Sequence, residues 1–168
     1  MLVLGIDPGS TAMGVSAVRR RAGRLELVYT DVVRTSSKSP MPARLLALHA
    51  GIERALFTVK PEEAAIEAIF RHKSSESALR LGQARGVAIL AVAQAGVPLG
   101  EYNPMTVKKT VAGHGRAGKS EIQRLVQRLL GLPEPLPQDA ADAAAIAIAH
   151  LHHARFQRQI DRTREARP

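Results

Sequence analysis

The chain opens on MLVLGIDPGS, and this stretch limits what the rest of it can become. Leu2, Val3, Leu4 and Ile6 form a short apolar run, and Asp7, Pro8 and Gly9 follow it at once. Such a run, bounded by turn residues, reads as a buried strand. A carboxylate at the end of that strand is held rigidly, yet it still reaches the crevice at the sheet edge. An ordinary Asp-Pro-Gly turn would explain the same letters. What separates the two readings is whether other acids stand in the same setting.

The charge balance bears on what such a crevice would meet. The 168 residues carry 24 Lys and Arg against 15 Asp and Glu, a net charge of +9, and this favours a polyanionic partner. Nucleic acid comes first; an acidic membrane comes second and fits poorly, because no basic amphipathic stretch carries large apolar anchors. The absence of cysteine excludes disulfides and cysteine-based zinc sites. The N-terminal apolar run is too short for a signal peptide, and no run reaches the ~18 residues of a membrane span. The expectation is a soluble, cytoplasmic protein.

Read in order, Gly14 to Val18 and Leu25 to Val33 are further strands, so the first third is a meander, with Arg19 to Gly23 as a charged turn. Ala43 to Val59 repeats apolar residues at helical spacing. Ala64, Ala65 and Ile66 lead to Glu67 as a fourth strand, while Glu62 and Glu63 after Pro61 read as solvated. Ser74 to Ala95 is a long helix, stopped by Gly96 and Pro98. Leu99 to Tyr102 is a fifth strand, followed by Asn103-Pro104 as a helix cap and first residue. Lys119 to Leu130 and the Ala-rich stretch Asp139 to His153 are the last helices. His150, His152 and His153 would then crowd a helix C-terminus, a structural role. From Arg155 the tail is basic and lacks periodicity, so the expected organisation is a domain over 1–154 and a disordered tail over 155–168. Strands first, then helices interleaved with short strands, give an α/β fold: a mixed five-stranded sheet flanked by helices.

Glu67 repeats the setting of Asp7, since it too closes an apolar strand. If these strands are parallel neighbours, both acids project from their carboxyl ends, where open α/β sheets bind ligands. Asp139 and Asp142, three apart, share a helix face. Acids in a first turn also suit the helix dipole, and that alone would account for them. However, Ala143, Ala144 and Ala145 give this helix so little bulk that it can lie close to the sheet. Four converging carboxylates would raise one another's pKa, and hard divalent ions relieve that, with Mg²⁺ the best fit. Two such ions ~3.5–4 Å apart serve phosphodiester displacement. An acidic metal site in a basic chain points to a nuclease.

GIDPGSTAMG, AIEAIF, SALRLGQARGVAI and DAADAAAIAIAH together resemble the RuvC family of Holliday-junction resolvases, in order, from Met1 to about His153. The resemblance implies a ribonuclease H-like fold and a homodimer. It also implies an endonuclease that nicks two opposed strands of a four-way DNA junction, using Mg²⁺ or Mn²⁺. On it, Asp7, Glu67, Asp139 and Asp142 fall on the family's metal-binding acids, and the branch-migration proteins RuvA and RuvB become expected partners. Position 68 is Ala where relatives often carry Gln or Glu, so no role is assigned there.

Phe70, followed by Arg71, His72 and Lys73, stands just beyond Glu67. An aromatic among cations suits stacking on an unpaired base, worth ~1–3 kcal/mol; the plainer alternative is that Phe70 caps the core. The resemblance favours stacking near the junction centre. Lys108, Lys109, Arg116 and Lys119 flank a Gly-rich loop and read as phosphate contacts, against the plainer reading of a solvated charge run. The resemblance singles out Lys108 and Lys119. That loop, GHGRAGKS, also matches the P-loop pattern, which demands a buried strand directly before it; a short helix suits Pro104 to Ala112 better. GIDPGSTAMG resembles the phosphate loop of sugar kinases and actin-like ATPases as well, but those need two such domains. A P-loop NTPase and a non-catalytic DNA-binding module are therefore the alternatives to a junction nuclease.

Overall fold

A computed structural model describes residues 1–68 and 74–165, with side chains through 154. Five strands form one sheet in the order β3-β2-β1-β4-β5. β1 (Leu2–Asp7), β2 (Ala12–Arg21) and β3 (Arg24–Arg34) make the antiparallel meander. β4 (Glu63–Glu67) and β5 (Leu99–Tyr102) add to it in parallel. The mixed five-stranded sheet flanked by helices is as the sequence implied.

The two faces of the sheet are covered differently. α1 (Met41–Val59) and α2 (Ser75–Gln94) pack on one, where Leu4, Ile6, Val15, Leu48, Ile52 and Val92 meet. α3 (Pro104–Ala112), α4 (Lys119–Leu130) and α5 (Gln138–Glu165) pack on the other, around Val3, Val18, Ile122, Val126, Ile146 and Ile148. Leu4 and Ile6 turn to the first core and Val3 to the second, so β1 is buried on both faces and needs apolar residues throughout.

α5 is the central helix. Its residues from Ala143 to Leu151 are all buried, which a helix of Ala and Ile can tolerate. The sheet beneath has been pared to match. A Cβ built on Gly5 would run into the Ala143 carbonyl, and one on Gly14 into the Asp139 carbonyl. Small residues on both partners therefore let helix and strands approach more closely than side chains normally permit.

Three expectations are corrected. α5 continues to Glu165 instead of ending at His153. The stretch 155–165 lacks an apolar stripe but carries Arg, Gln and Glu, good helix formers, which propagate an existing helix at little cost. His150, His152 and His153 consequently lie inside the helix, not at its C-terminus. The strand after Pro61 also begins earlier than expected. Glu63 belongs to β4 and pairs at 2.5 Å with buried His150, while Glu62 accepts the Leu2 N–H at 2.9 Å. Tyr102 completes the buried polar cluster, its hydroxyl 3.1 Å from His150 Nδ1. Finally, β2 runs through Arg21, leaving only Ala22 and Gly23, both with positive φ, in the hairpin turn.

Candidate active site

Three elements deliver carboxylates to one crevice. β1 ends in Asp7 and β4 in Glu67, and the register pairs Ile6 with Ile66, so the two acids leave adjacent parallel strands at the same level. Asp142, in the second turn of α5, faces them. Asp7, Glu67 and Asp142 line a crevice of about 270 Å³ together with Lys108 of α3 and Lys119 of α4, over an apolar floor of Val107, Ile122 and Ile146. Lys119 Nζ lies 3.7 Å from Asp142 Oδ2, with a largely exposed side chain that is free to turn outward.

Each acid is braced from behind. The Arg44 guanidinium is buried and donates to the Ser10 carbonyl at 2.6 Å, fixing the turn that follows Asp7. From α2, Arg85 donates to the Glu67 carbonyl at 3.1 Å and pairs with Glu101, clamping the ends of β4 and β5. Ser16, wholly buried on β2, donates to the Ala140 carbonyl at 2.8 Å and lies 3.0 Å from the Thr30 hydroxyl. Together with the close approach at Gly14, this pins the start of α5 to the sheet and sets the height of Asp142. Gln138 Nε2 then donates to Asp142 Oδ1 at 3.0 Å.

The electrostatics follow from burial and crowding. Asp7 is pushed up to about 8, first by burial and then by the charges of Glu67, Asp142 and Asp139, with Lys119 opposing. Glu67 is raised by burial and by Asp142, against the lysines at 119 and 108. Asp142 is raised by burial, with the Gln138 hydrogen bond and Lys119 pulling the other way. A carboxylate near 8 holds a proton at neutral pH, so without counter-charge the cluster is not fully ionised. Among the described residues no three acidic or imidazole groups already stand at the spacing of a shared ion. The donors are all carboxylate oxygens, lacking thiol or imidazole, and that set fits a hard divalent cation.

The predicted residues divide accordingly. Asp7, Glu67, Asp142, Lys108 and Lys119 come together. Asp139 does not line the crevice, although its charge is felt by both Asp7 and Asp142. Lys109 and Arg116 are exposed away from it. Phe70, Arg71 and Lys73 lie outside the described residues. Arg44, Arg85, Ser16 and Gln138 carried no sequence signal, because a brace depends on long-range contacts that spacing does not reveal.

The Gly-rich loop is not preceded by a strand. α3 comes before it, capped by Asn103, whose side chain accepts from the Met105 N–H at 2.8 Å. Gly113 is spent as the left-handed C-cap of that helix, at φ 81°. The strand–loop–helix geometry of a P-loop is therefore absent here, and with it the basis of the NTPase reading.

Comparison with known proteins agrees with this geometry. The family model described as "Crossover junction endodeoxyribonuclease RuvC" matches residues 3–150. A crossover junction endodeoxyribonuclease RuvC from Moorella thermoacetica is 45% identical over 160 residues, covering 95% of this chain and 96% of the relative. One from Desulfitobacterium hafniense is 48% identical over 153 residues, covering 90% and 93%. Among solved structures, Thermus thermophilus RuvC in complex with a Holliday junction substrate superposes with a TM-score of 0.88 at 40% identity, covering 94% of this chain and 96% of that one.

Proposed function

The chain belongs to the RuvC family of crossover junction endodeoxyribonucleases, and on that footing we propose that its acidic crevice hydrolyses one phosphodiester in each of two opposed strands of a four-way DNA junction. It is a Holliday-junction resolvase, a nuclease of recombination and repair. The observation that carries the mechanism is the convergence of Asp7, Glu67 and Asp142 beside Lys108 and Lys119.

Asp7, Glu67 and Asp142 are the residues that would hold a divalent cation, with Asp139 as the fourth acid of the set. We take the ions to be Mg²⁺ or Mn²⁺, two per site. When bound, they supply charge stabilisation to the attacking and leaving oxygens of the displacement. The protein contributes the rest. Lys108 and Lys119 attract the phosphate and position it over the carboxylates. Asp7 gives up the proton it holds in the metal-free state, so ion loading strengthens as the pH rises. Val107, Ile122 and Ile146 keep the crevice floor dry, which strengthens each charge interaction above it. We extend the proposal to Lys109 and Arg116 as outer phosphate contacts. From sequence, Phe70 is assigned to stacking on an unpaired base near the junction centre, with Arg71 and Lys73 as DNA contacts.

Cutting two strands symmetrically calls for a two-fold dimer. α2 supports one: Leu79 is 65% exposed and Leu90 51%, with Gly82 and Gly86 facing open space between them. We assign this face to the dimer contact, and RuvA and RuvB remain the proposed partners on the junction. Among the described residues no helix is long and apolar enough to cross a membrane. The test is incubation with a synthetic four-way junction and with a linear duplex, with and without Mg²⁺ or Mn²⁺, read on a denaturing gel. Paired, metal-dependent nicks confined to the junction are expected. Binding without cleavage in any metal would favour the non-catalytic alternative.

A further inference from the structure

At the far end of the sheet a second cleft, of about 490 Å³, is lined by Arg20 of β2, Arg24 of β3, Arg128 of α4 and His152 of α5. Among the described residues no acidic side chain lines it. Arg128 by itself would be unremarkable, since a cation in a last helical turn suits the dipole. The dipole of α4 does not account for Arg20, Arg24 and His152, which come from three other elements. Arg24 and Arg128, from two different elements, are both exposed in the cleft, and a phosphate backbone seated there would accept hydrogen bonds from both guanidiniums.

We propose that this cleft binds the phosphate backbone of a duplex arm, at a fixed distance from the point of cleavage. The proposal rests on the junction-nuclease reading above. Two structural rulers give the distance. β1 separates the cleft from Asp7, because Arg20 bonds to Met1 at one end while Asp7 stands at the other, and six residues of strand span about 20 Å. α4 runs from Lys119 at the crevice to Arg128 at the cleft, nine residue steps that span about 14 Å. At 3.4 Å per nucleotide step, the two rulers place the bound phosphate about four to six nucleotides from the scissile one. The surface between is suited to DNA. Ser120, Arg124 and Arg128 recur at four-residue spacing on the exposed side of α4, and Glu121, the helix's only acid, is turned to His114. The arm would therefore lie along α4, held at both ends.

The test uses the full-length protein and synthetic four-way junctions whose backbone is either unmodified or carries uncharged methylphosphonates about four to six nucleotides from the crossover. Arg24 and Arg128 are exposed, so a double variant, Arg24→Ala with Arg128→Ala, should keep the wild-type thermal midpoint. On the unmodified junction it should show a shallower salt dependence, the slope falling by about 2 for two lost contacts. The methylphosphonates should weaken wild-type binding and leave the double variant's binding unchanged. If they weaken both proteins equally, or neither, the cleft does not hold the arm. Nicking by wild type is scored on the same samples: its absence overturns the nuclease reading, whereas nicking without the coupling overturns only the cleft.

Discussion

Replacing Asp7 by Asn should make the metal-free protein more stable while destroying its activity. In the folded state Asp7 titrates near 8, against 3.8 for the free side chain, so the native chain binds this proton more tightly than the unfolded one does. The sign follows from linkage: as the pH rises from about 4 to about 8, the native state must either keep the proton or hold an unfavourable charge, and stability falls. Each tenfold change in proton affinity corresponds to about 1.4 kcal/mol, so the full penalty above pH 8 is on the order of 5 kcal/mol. Local relaxation around Lys119 would recover part of that, and asparagine removes the rest at every pH. With about 2–4 °C per kcal/mol for a chain of this size, the metal-free Asp7→Asn protein should melt roughly 5–10 °C above wild type at pH 8. The gap should close as the pH falls toward 4. Excess Mn²⁺ should reverse the order, because only wild type gains the binding free energy of the ion. Differential scanning calorimetry over this pH range, with and without Mn²⁺, makes the comparison. A metal-free variant no more stable than wild type at pH 8 would refute the reasoning.

Other perturbations probe the supports of the site. Gly14→Ala would drive a methyl group into the backbone of Asp139, so it should cost about 3 kcal/mol or more in a urea titration and cut the nicking rate with it. Lys119→Ala should weaken junction binding and lower the salt slope by about 1, with no ATP binding to lose in either protein. Leu90→Glu, placed on the exposed face of α2, should yield a monomer by light scattering at micromolar concentration while the fold persists by circular dichroism.

The elements were legible in the sequence wherever the signal was local. Asn103-Pro104 announced α3, and the apolar run before Asp7 announced β1, because caps and strand periodicity are written within a few neighbouring residues. The pairing of Asp7 with Glu67 was legible too, since each closes a short apolar run and parallel neighbours place such ends together. Apolar periodicity ends α5 at His153 because 155–165 lack an apolar stripe, and helix propagation beyond the core depends on intrinsic propensity instead. Glu63 passed for a solvated acid, since nothing beside it in the chain indicates that His150, 87 residues on, will face it. The braces were hidden for the same reason: Ser16 reaches α5 across 124 residues and Arg44 reaches Ser10 across 34. GHGRAGKS misleads in the opposite direction, matching a phosphate-loop pattern whose meaning lies in the strand that α3 replaces.

The central claim is that the crevice acids do chemistry and not attachment. It is tested most directly by assaying Asp7→Asn, Glu67→Gln and Asp142→Asn on one labelled four-way junction, each by gel shift without metal and by denaturing gel with Mg²⁺ or Mn²⁺. All three should bind the junction about as well as wild type, because carboxylates contribute no attraction to phosphate, and all three should fail to nick it. Near wild-type nicking by any two of them would contradict the assignment of the site.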